Sequence, residues 1–257
     1  MRFCVLASGS SGNSIWVEDR GAALVIDNGL SLSDFRRRTG VRGLDPRRII
    51  GILVTHEHGD HIGGVGPLAR ACRAPVHGSP ATLEIANGRG RLGEGRCRIL
   101  SAGETASLGP FRVSAYSSSH DAADPQVYVL RSGGKAVGIA TDLGVVTEDL
   151  VAAFSGLDAA VLEFNHDAGM LESGDYPVFL KRRVRGRKGH LSNAQGAEFL
   201  ARLNHPGLKR VILGHLSRRN NLPELAAAAA SAAIEGGPGS PAVTVACQHE
   251  PTPLFEI

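Results

Sequence analysis

His56, His58, Asp60 and His61 place three imidazoles and a carboxylate within six residues, His56-Glu57-His58-Gly59-Asp60-His61. Four such side chains at one point of a chain would repel or stay unpaired without a cation, so the spacing points to metal chemistry. Nitrogen and oxygen donors without a thiolate suit Zn²⁺ or Mn²⁺. The run follows the apolar segment Ile49–Thr55, read as a buried strand. A strand end is rigid on one side and opens into a loop on the other, which lets successive side chains address two adjacent points. Two divalent ions about 3.5–4 Å apart can clamp a phosphoryl group and ionise a shared water.

The elements that must position these groups come next. Phe3–Ala7, Ser14–Glu18 and Ala22–Asp27 read as consecutive strands of an antiparallel meander, broken by Ser8–Asn13 and by Asp19-Arg20-Gly21. The glycine-rich stretch Ser8–Asn13 reads as a tight turn, or as a phosphate-facing loop, and Asn13 suits either. Ser79-Pro80 opens a helix through Asn87. Phe111–Ser117, Gln126–Arg131 and Lys135–Thr141 return to strand pattern. Thr147 caps a helix through Phe154, Ala159–Phe164 is a strand, Ser192-Asn193-Ala194-Gln195 is a capping box opening a helix to Leu203, Arg210–Leu213 is a strand and Asn221–Ile234 is the last helix. Strands alternating with helices in both halves predict an α/β fold, an αββα four-layer sandwich, as a single domain over residues 1–257.

The pattern His56, His58, Asp60, His61 resembles the HxHxDH motif of the metallo-β-lactamase fold superfamily. Asp27 resembles the aspartate that braces the metal loop in that superfamily, and His120, Asp142 and His215 each follow a strand, as its later ligand motifs do. The resemblance implies that His56, His58 and His120 hold one metal and Asp60, His61 and His215 the other, with Asp142 bridging them; Asp60 and Asp142 then also belong to the catalytic group. Leu162-Glu163-Phe164-Asn165-His166-Asp167 and Gly189-His190-Leu191-Ser192-Asn193 look like the paired glutamate and histidine of the tRNase Z branch, in which the histidine is not a ligand. A bridging hydroxide would be the nucleophile. An alkoxide leaves poorly unless protonated, which makes His190 the expected general acid and Glu163 its orienting partner. Asn165 and His166 are expected beside the site.

Over residues near 3 to 225 the chain is most similar to the YycJ-like (WalJ-like) group. The likeness rests on Leu6 to Asn13, His120 to Pro125, Thr141 to Gly144, Asn165 to Asp167, Tyr176-Pro177 and His215 to Asn221. It implies a DNA exonuclease acting 5′→3′, with single-stranded DNA as the partner.

The rest of the chain narrows the alternatives. It has 257 residues, a net charge of +3 and 42% hydrophobic residues, enough for a sizeable core and too apolar for disorder. The apolar tract Leu225–Ile234 is too short for a bilayer, and the N-terminus lacks a secretory pattern, so the expected location is the cytoplasm. Cys4, Cys72, Cys97 and Cys247 form no CxxC pair and are expected reduced and buried. Lys181, Arg182, Arg183, Arg185, Arg187 and Lys188 crowd eight residues between Glu163 and His190, a candidate nucleic-acid-binding wall rather than a solvated face. Asp142 and His215 are only 73 positions apart, too few for the domain that β-CASP nucleases insert. A small cyclic or linear phosphodiesterase and a non-catalytic metal-bound scaffold remain as alternatives. Trp16 is expected in the core, and His77, His205 and His249 are read as structural.

Overall fold

The computed structural model describes residues 1–88, 92 and 95–257. Its strands are β1 (Arg2–Ala7), β2 (Ser14–Asp19), β3 (Ala22–Ile26), β4 (Ile49–Leu53), β5 (Val76–Gly78), β6 (Cys97–Ile99), β7 (Thr105–Leu108), β8 (Phe111–Ser117), β9 (Gln126–Ser132), β10 (Lys135–Ala140), β11 (Ala159–Glu163), β12 (Arg210–Gly214), β13 (Ala242–Val245) and β14 (Phe255–Glu256). They form two seven-stranded mixed sheets flanked by helices, the α/β class expected from the sequence. Contacts divide the described chain into two compact units.

The first unit holds residues 1–117, 122–134 and 247–256. Its sheet runs β14-β1-β2-β3-β4-β5-β6. β1, β2 and β3 are the antiparallel meander, and β3 to β6 pair in parallel. Trp16 on β2 is fully buried and donates its indole N–H to Glu18; removing that ring would cost about 3–5 kcal/mol. Helix Leu32–Val41, capped by Ser31, contributes Phe35 to the core, and helix Val65–Cys72 contributes Leu68. β7, β8 and β9 pair antiparallel and are three of the seven strands of the other sheet.

The second unit holds residues 118–121 and 135–246 with Ile257. β10, β11, β12 and β13 pair in parallel. β11 reads Ala-Ala-Val-Leu-Glu and every residue is buried, as expected for a strand covered on both faces. Because the strands are parallel, the segments that follow β10, β11 and β12 leave the sheet at the same edge. Ser192 and Gln195 make the reciprocal capping box expected for helix Asn193–Leu203.

Several expectations need correction. The strands read as Ile49–Thr55, Lys135–Thr141 and Ala159–Phe164 end at Leu53, Ala140 and Glu163, because their last residues leave the ladder to form site loops. The last helix starts at Pro223, after Leu222, not at Asn221. Only Cys4 is fully buried among the cysteines: Cys72 and Cys97 are half-buried and Cys247 is exposed, though all four are free thiols. No helix among the described residues is long and apolar enough to cross a membrane.

Candidate metal centre

In the first unit the metal-competent residues gather around Asp27 and Thr55. Asp27 follows β3 with φ 56, a left-handed conformation unusual for a residue with a side chain, and it is almost fully buried. Its Oδ1 accepts from Thr55 N at 2.8 Å, and its Oδ2 accepts from the Thr55 hydroxyl at 2.7 Å and from His61 Nδ1 at 2.7 Å. Since Asp27 takes the Thr55 proton, Thr55 Oγ1 is left to accept from His56 Nδ1, 3.0 Å away. Both imidazoles are therefore protonated on Nδ1, which leaves each Nε2 as an acceptor, that of His61 facing Asn13 and that of His56 facing His58. Asn13 Nδ2 lies 3.0 Å from His61 Nε2 and 3.3 Å from Asp60 Oδ2, while Asn13 Oδ1 accepts from Gly9 N at 2.8 Å. Asn13 thus closes the Ser8–Asn13 turn and also faces the site. Gly29 lets this loop pass: a Cβ there would lie 1.9 Å from the carbonyl oxygen of Asp60.

The fit to a metal is visible in His56 and His58. His56 Nε2, unprotonated, stands 3.0 Å from His58 Nδ1, with the rings edge to face at 4.5 Å. Two ring nitrogens so close are what ligands sharing one cation present, and the Asp27–His61 and Thr55–His56 contacts are the outer hydrogen bonds that fix the tautomer of such ligands. The donor set contains no sulfur, which suits a borderline or hard divalent ion.

In the second unit, His120, Asp142, Glu163, His190 and His215 converge. His120 donates Nδ1–H to the carbonyl of Gly189 at 3.0 Å, and its unprotonated Nε2 lies 3.6 Å from Asp142 Oδ1. Burial lowers the His120 pKa, with Asp142 opposing. Asp142 and His215 follow β10 and β12 with φ 59 and φ 57, the same left-handed conformation as Asp27. Glu163, the last residue of β11, is wholly buried and takes four hydrogen bonds. Its Oε1 accepts from His190 Nδ1 at 2.8 Å and from His215 Nδ1 at 3.1 Å; its Oε2 accepts from Leu143 N at 2.8 Å and Leu191 N at 3.1 Å. Burial pushes this carboxyl up, but the charge and hydrogen bond of His190 and the bond from His215 outweigh it and hold the pKa at about 2. His190 is the one ring of this group that is half-open to solvent. Asp142, Glu163, His190 and His215 each offer a ligand atom within 4.8 Å of the others, so this set could itself hold an ion.

Asn165 donates from Nδ2 to the carbonyl of His215 at 2.8 Å. His166 is buried with its Nδ1 unpartnered, and desolvation, opposed by Glu163, lowers its pKa to about 4. In the basic segment, Val178–Val184 is helical. Arg183 pairs with Asp121, the neighbour of His120, at 2.9 Å, and Arg185 pairs with Glu172 at 2.9 Å. Lys181 is half-buried and donates to the carbonyl of Glu172, whereas Arg182, Arg187 and Lys188 are exposed. The Arg187 carbonyl accepts from Ser119, and that of Gly189 from His120, so the segment is fastened directly to the loop that carries His120.

Sequence reasoning missed Thr55, the Gly189 carbonyl, and the amides of Leu143 and Leu191. Backbone groups leave no residue-type signal, but Thr55 directly before His56 could have been noticed as a hydroxyl within reach of Asp27. His77 is buried, and His205 donates Nε2–H to the Leu157 carbonyl at 3.0 Å; neither belongs to the clusters above.

Residues 23–216 match the β-lactamase superfamily domain, an interval that encloses Asp27 and every expected ligand through His215. A Streptococcus pneumoniae protein named exodeoxyribonuclease WalJ is 36% identical over 228 residues, covering 88% of this chain and 85% of that protein. A Bacillus anthracis protein named exodeoxyribonuclease YycJ is 36% identical over 236 residues, covering 91% and 89%. Among solved structures, the metallo-β-lactamase fold protein YhfI from Bacillus subtilis gives a TM-score of 0.74 at 15% identity over 98% of each chain, a likeness of fold alone.

Proposed function

The chain belongs to the β-lactamase superfamily and is a metal-dependent hydrolase, and from that premise we propose that it is a dinuclear phosphodiesterase that degrades single-stranded DNA from the 5′ end. In this reading residues 1–257 make a single catalytic domain. His56, His58 and His120 hold one ion, Asp60, His61 and His215 the other, and Asp142 serves both. Zinc or manganese fits the donors, and a cytoplasmic location fits the substrate.

The observation that carries the reading is the Glu163–His190 pair. Hydrolysis of a thioester releases a thiolate that leaves without help, whereas a phosphodiester releases an alkoxide that needs a proton. When bound, the ions polarise the phosphoryl oxygens and lower the pKa of the attacking water. The chain's own residues do the rest. Glu163 holds the Nδ1 proton of His190 and so orients the ring, with Nε2–H as the proton offered to the leaving oxygen. Asp27 and Thr55 fix the tautomers of His61 and His56. The exposed cations of Lys181 to Lys188 draw the polyanion toward His120 and His190. The relatives named as exodeoxyribonucleases support DNA as the polymer.

The test is to incubate metal-loaded protein with 5′- and 3′-labelled single-stranded DNA, RNA and bis(p-nitrophenyl) phosphate, with elemental analysis of the same sample. The expected result is about two ions per chain and stepwise loss of the 5′ label as mononucleotide. Hydrolysis of the small diester with intact DNA would move the assignment to a small phosphodiesterase, and one ion or none after reconstitution would end the dinuclear reading.

A further inference from the structure

A cavity of about 290 Å³ opens in the second unit. Two of its walls are direct continuations of segments that carry site residues. Gly144, Val145 and Val146 follow Asp142, and Arg185, Arg187 and Leu191 flank His190 in sequence. The third wall is one face of helix Asn193–Leu203, with Gln195, Glu198, Phe199 and Arg202. The first two walls are packed together: a Cβ on Gly144 would lie 2.2 Å from the Arg187 carbonyl oxygen, and Gly144 N donates to Ser119 O at 2.6 Å.

The lining has the chemistry of a nucleotide site. Three arginines and one carboxylate, Glu198, line it together with the buried Phe199 and Leu191. Arg185 and Arg202 are steadied by Glu172 and Glu148, whose side chains are 70% and 83% exposed. Exposed pairs of this kind are weak, so a phosphate can take the arginines over without stranding a buried charge. Gln195 uses its Oε1 in the capping box. The volume sits at the lower edge of the ~300–1,000 Å³ typical of small-ligand clefts, room for one nucleotide rather than several.

We propose that this cavity receives the 5′-terminal nucleotide of the DNA strand, with Arg187 and Arg202 on its terminal phosphate. The proposal rests on the nuclease reading above and adds the subsite that gives it polarity. A nucleotide bound on the His190 side belongs to the leaving group. Water then attacks phosphorus, the bond from phosphorus to O3′ of the terminal nucleotide breaks, and His190 gives its proton to that O3′. The products are a 5′-mononucleotide with a free 3′-hydroxyl and a strand one residue shorter. The shortened strand carries a new 5′-phosphate, so each turnover regenerates the group that the arginines bind.

Steady-state kinetics on one single-stranded sequence, prepared with a 5′-phosphate and with a 5′-hydroxyl, test this. The wild type should favour the phosphorylated strand by about tenfold or more in kcat/KM, the effect of one or two charge-assisted hydrogen bonds. Arg202→Ala should bring that ratio close to one, Arg202→Lys should keep part of it, and 5′-dAMP should raise the melting temperature of the wild type more than deoxyadenosine does. Degradation of both strands at equal rates, or a ratio unmoved in Arg202→Ala and in Arg187→Ala, overturns the subsite and leaves the nuclease reading standing. Failure to degrade either strand overturns both.

Discussion

Glu163 holds His190 through Oε1 at 2.8 Å, and the same oxygen takes the Nδ1 proton of His215 at 3.1 Å. One buried carboxylate thereby orients the expected acid and an expected ligand together. His190→Ala should lower turnover about 10²–10⁴-fold with the metal content kept; loss of metal with activity would make His190 a ligand instead. Glu163→Gln puts an amide where four donors converge, so it should lower metal affinity or activity about 10–100-fold. Metal content and turnover measured side by side on both variants separate the two roles.

Asp27 reaches Thr55 twice and His61 once from a buried left-handed position. Asp27→Ala leaves the Thr55 amide without that acceptor and frees the His61 ring to take the other tautomer. Competitive chelator titration should show metal binding weakened about 10–100-fold, and the apo protein should lose about 1–3 kcal/mol in urea unfolding. Unchanged affinity would reduce Asp27 to a folding residue.

Arg183 and Arg185 sit in exposed ion pairs that contribute little to stability, which leaves both exchangeable for phosphates. With about three phosphate contacts on a single strand, binding should follow salt to the power of roughly −2. Replacing Arg182, Arg183 and Arg185 by Ala should flatten the slope toward zero and depress cleavage of the polymer more than cleavage of the small diester. Equal losses on both substrates would remove the basic wall from the substrate path.

Burial raises the Cys4 thiol to about 11, against the lowering effects of its Thr252 contact and Arg42, and its Sγ donates to the Thr252 carbonyl at 3.2 Å. Cys247 is exposed. Iodoacetamide at pH 8 should therefore label Cys247 first and Cys4 only after denaturation, because the thiolate is the reactive form. Mass spectrometry of digests at timed intervals reads the order.

His77 is buried with an unpartnered Nε2, and desolvation, then Arg98, lowers its pKa from 6.5. The folded state therefore binds fewer protons than the unfolded state below pH 6.5. Its stability contribution is whole above that pH and declines as pH falls toward the folded value, by at most about 1.4 kcal/mol per pH unit. Melts of wild type and His77→Gln between pH 7.5 and 5 should show the smaller decline in the variant.

The contiguous features were readable because neighbours in sequence are neighbours in space. His56 to His61 is one turn of chain after one strand, and the Ser192–Gln195 capping box is local. Strand ends were read too far at Thr55, Thr141 and Phe164, since alternation of residue types does not register where the backbone leaves the ladder. β5 and β6, three residues each, are too short to display a period. Helix Leu32–Val41 was not read because its consecutive Arg36, Arg37 and Arg38 obscure the apolar face; yet Arg38 is buried, donating to the carbonyls of Leu6 and Gln248. The second hydrogen bond of Glu163, to His215, joins residues 52 positions apart and is fixed only by the parallel register of β11 with β12.

β14 pairs antiparallel with β1, Phe3 opposite Phe255, and their rings lie 5.6 Å apart. During synthesis on the ribosome, the outer edge of β1 therefore waits for its partner while some 250 residues are added, about 10–50 s at the usual ~5–20 residues per second. Throughout that interval an apolar strand edge is open to other nascent chains. Slow translation or early termination near residue 250 would lengthen this exposure, and would show as aggregation of chains whose catalytic residues have all been made.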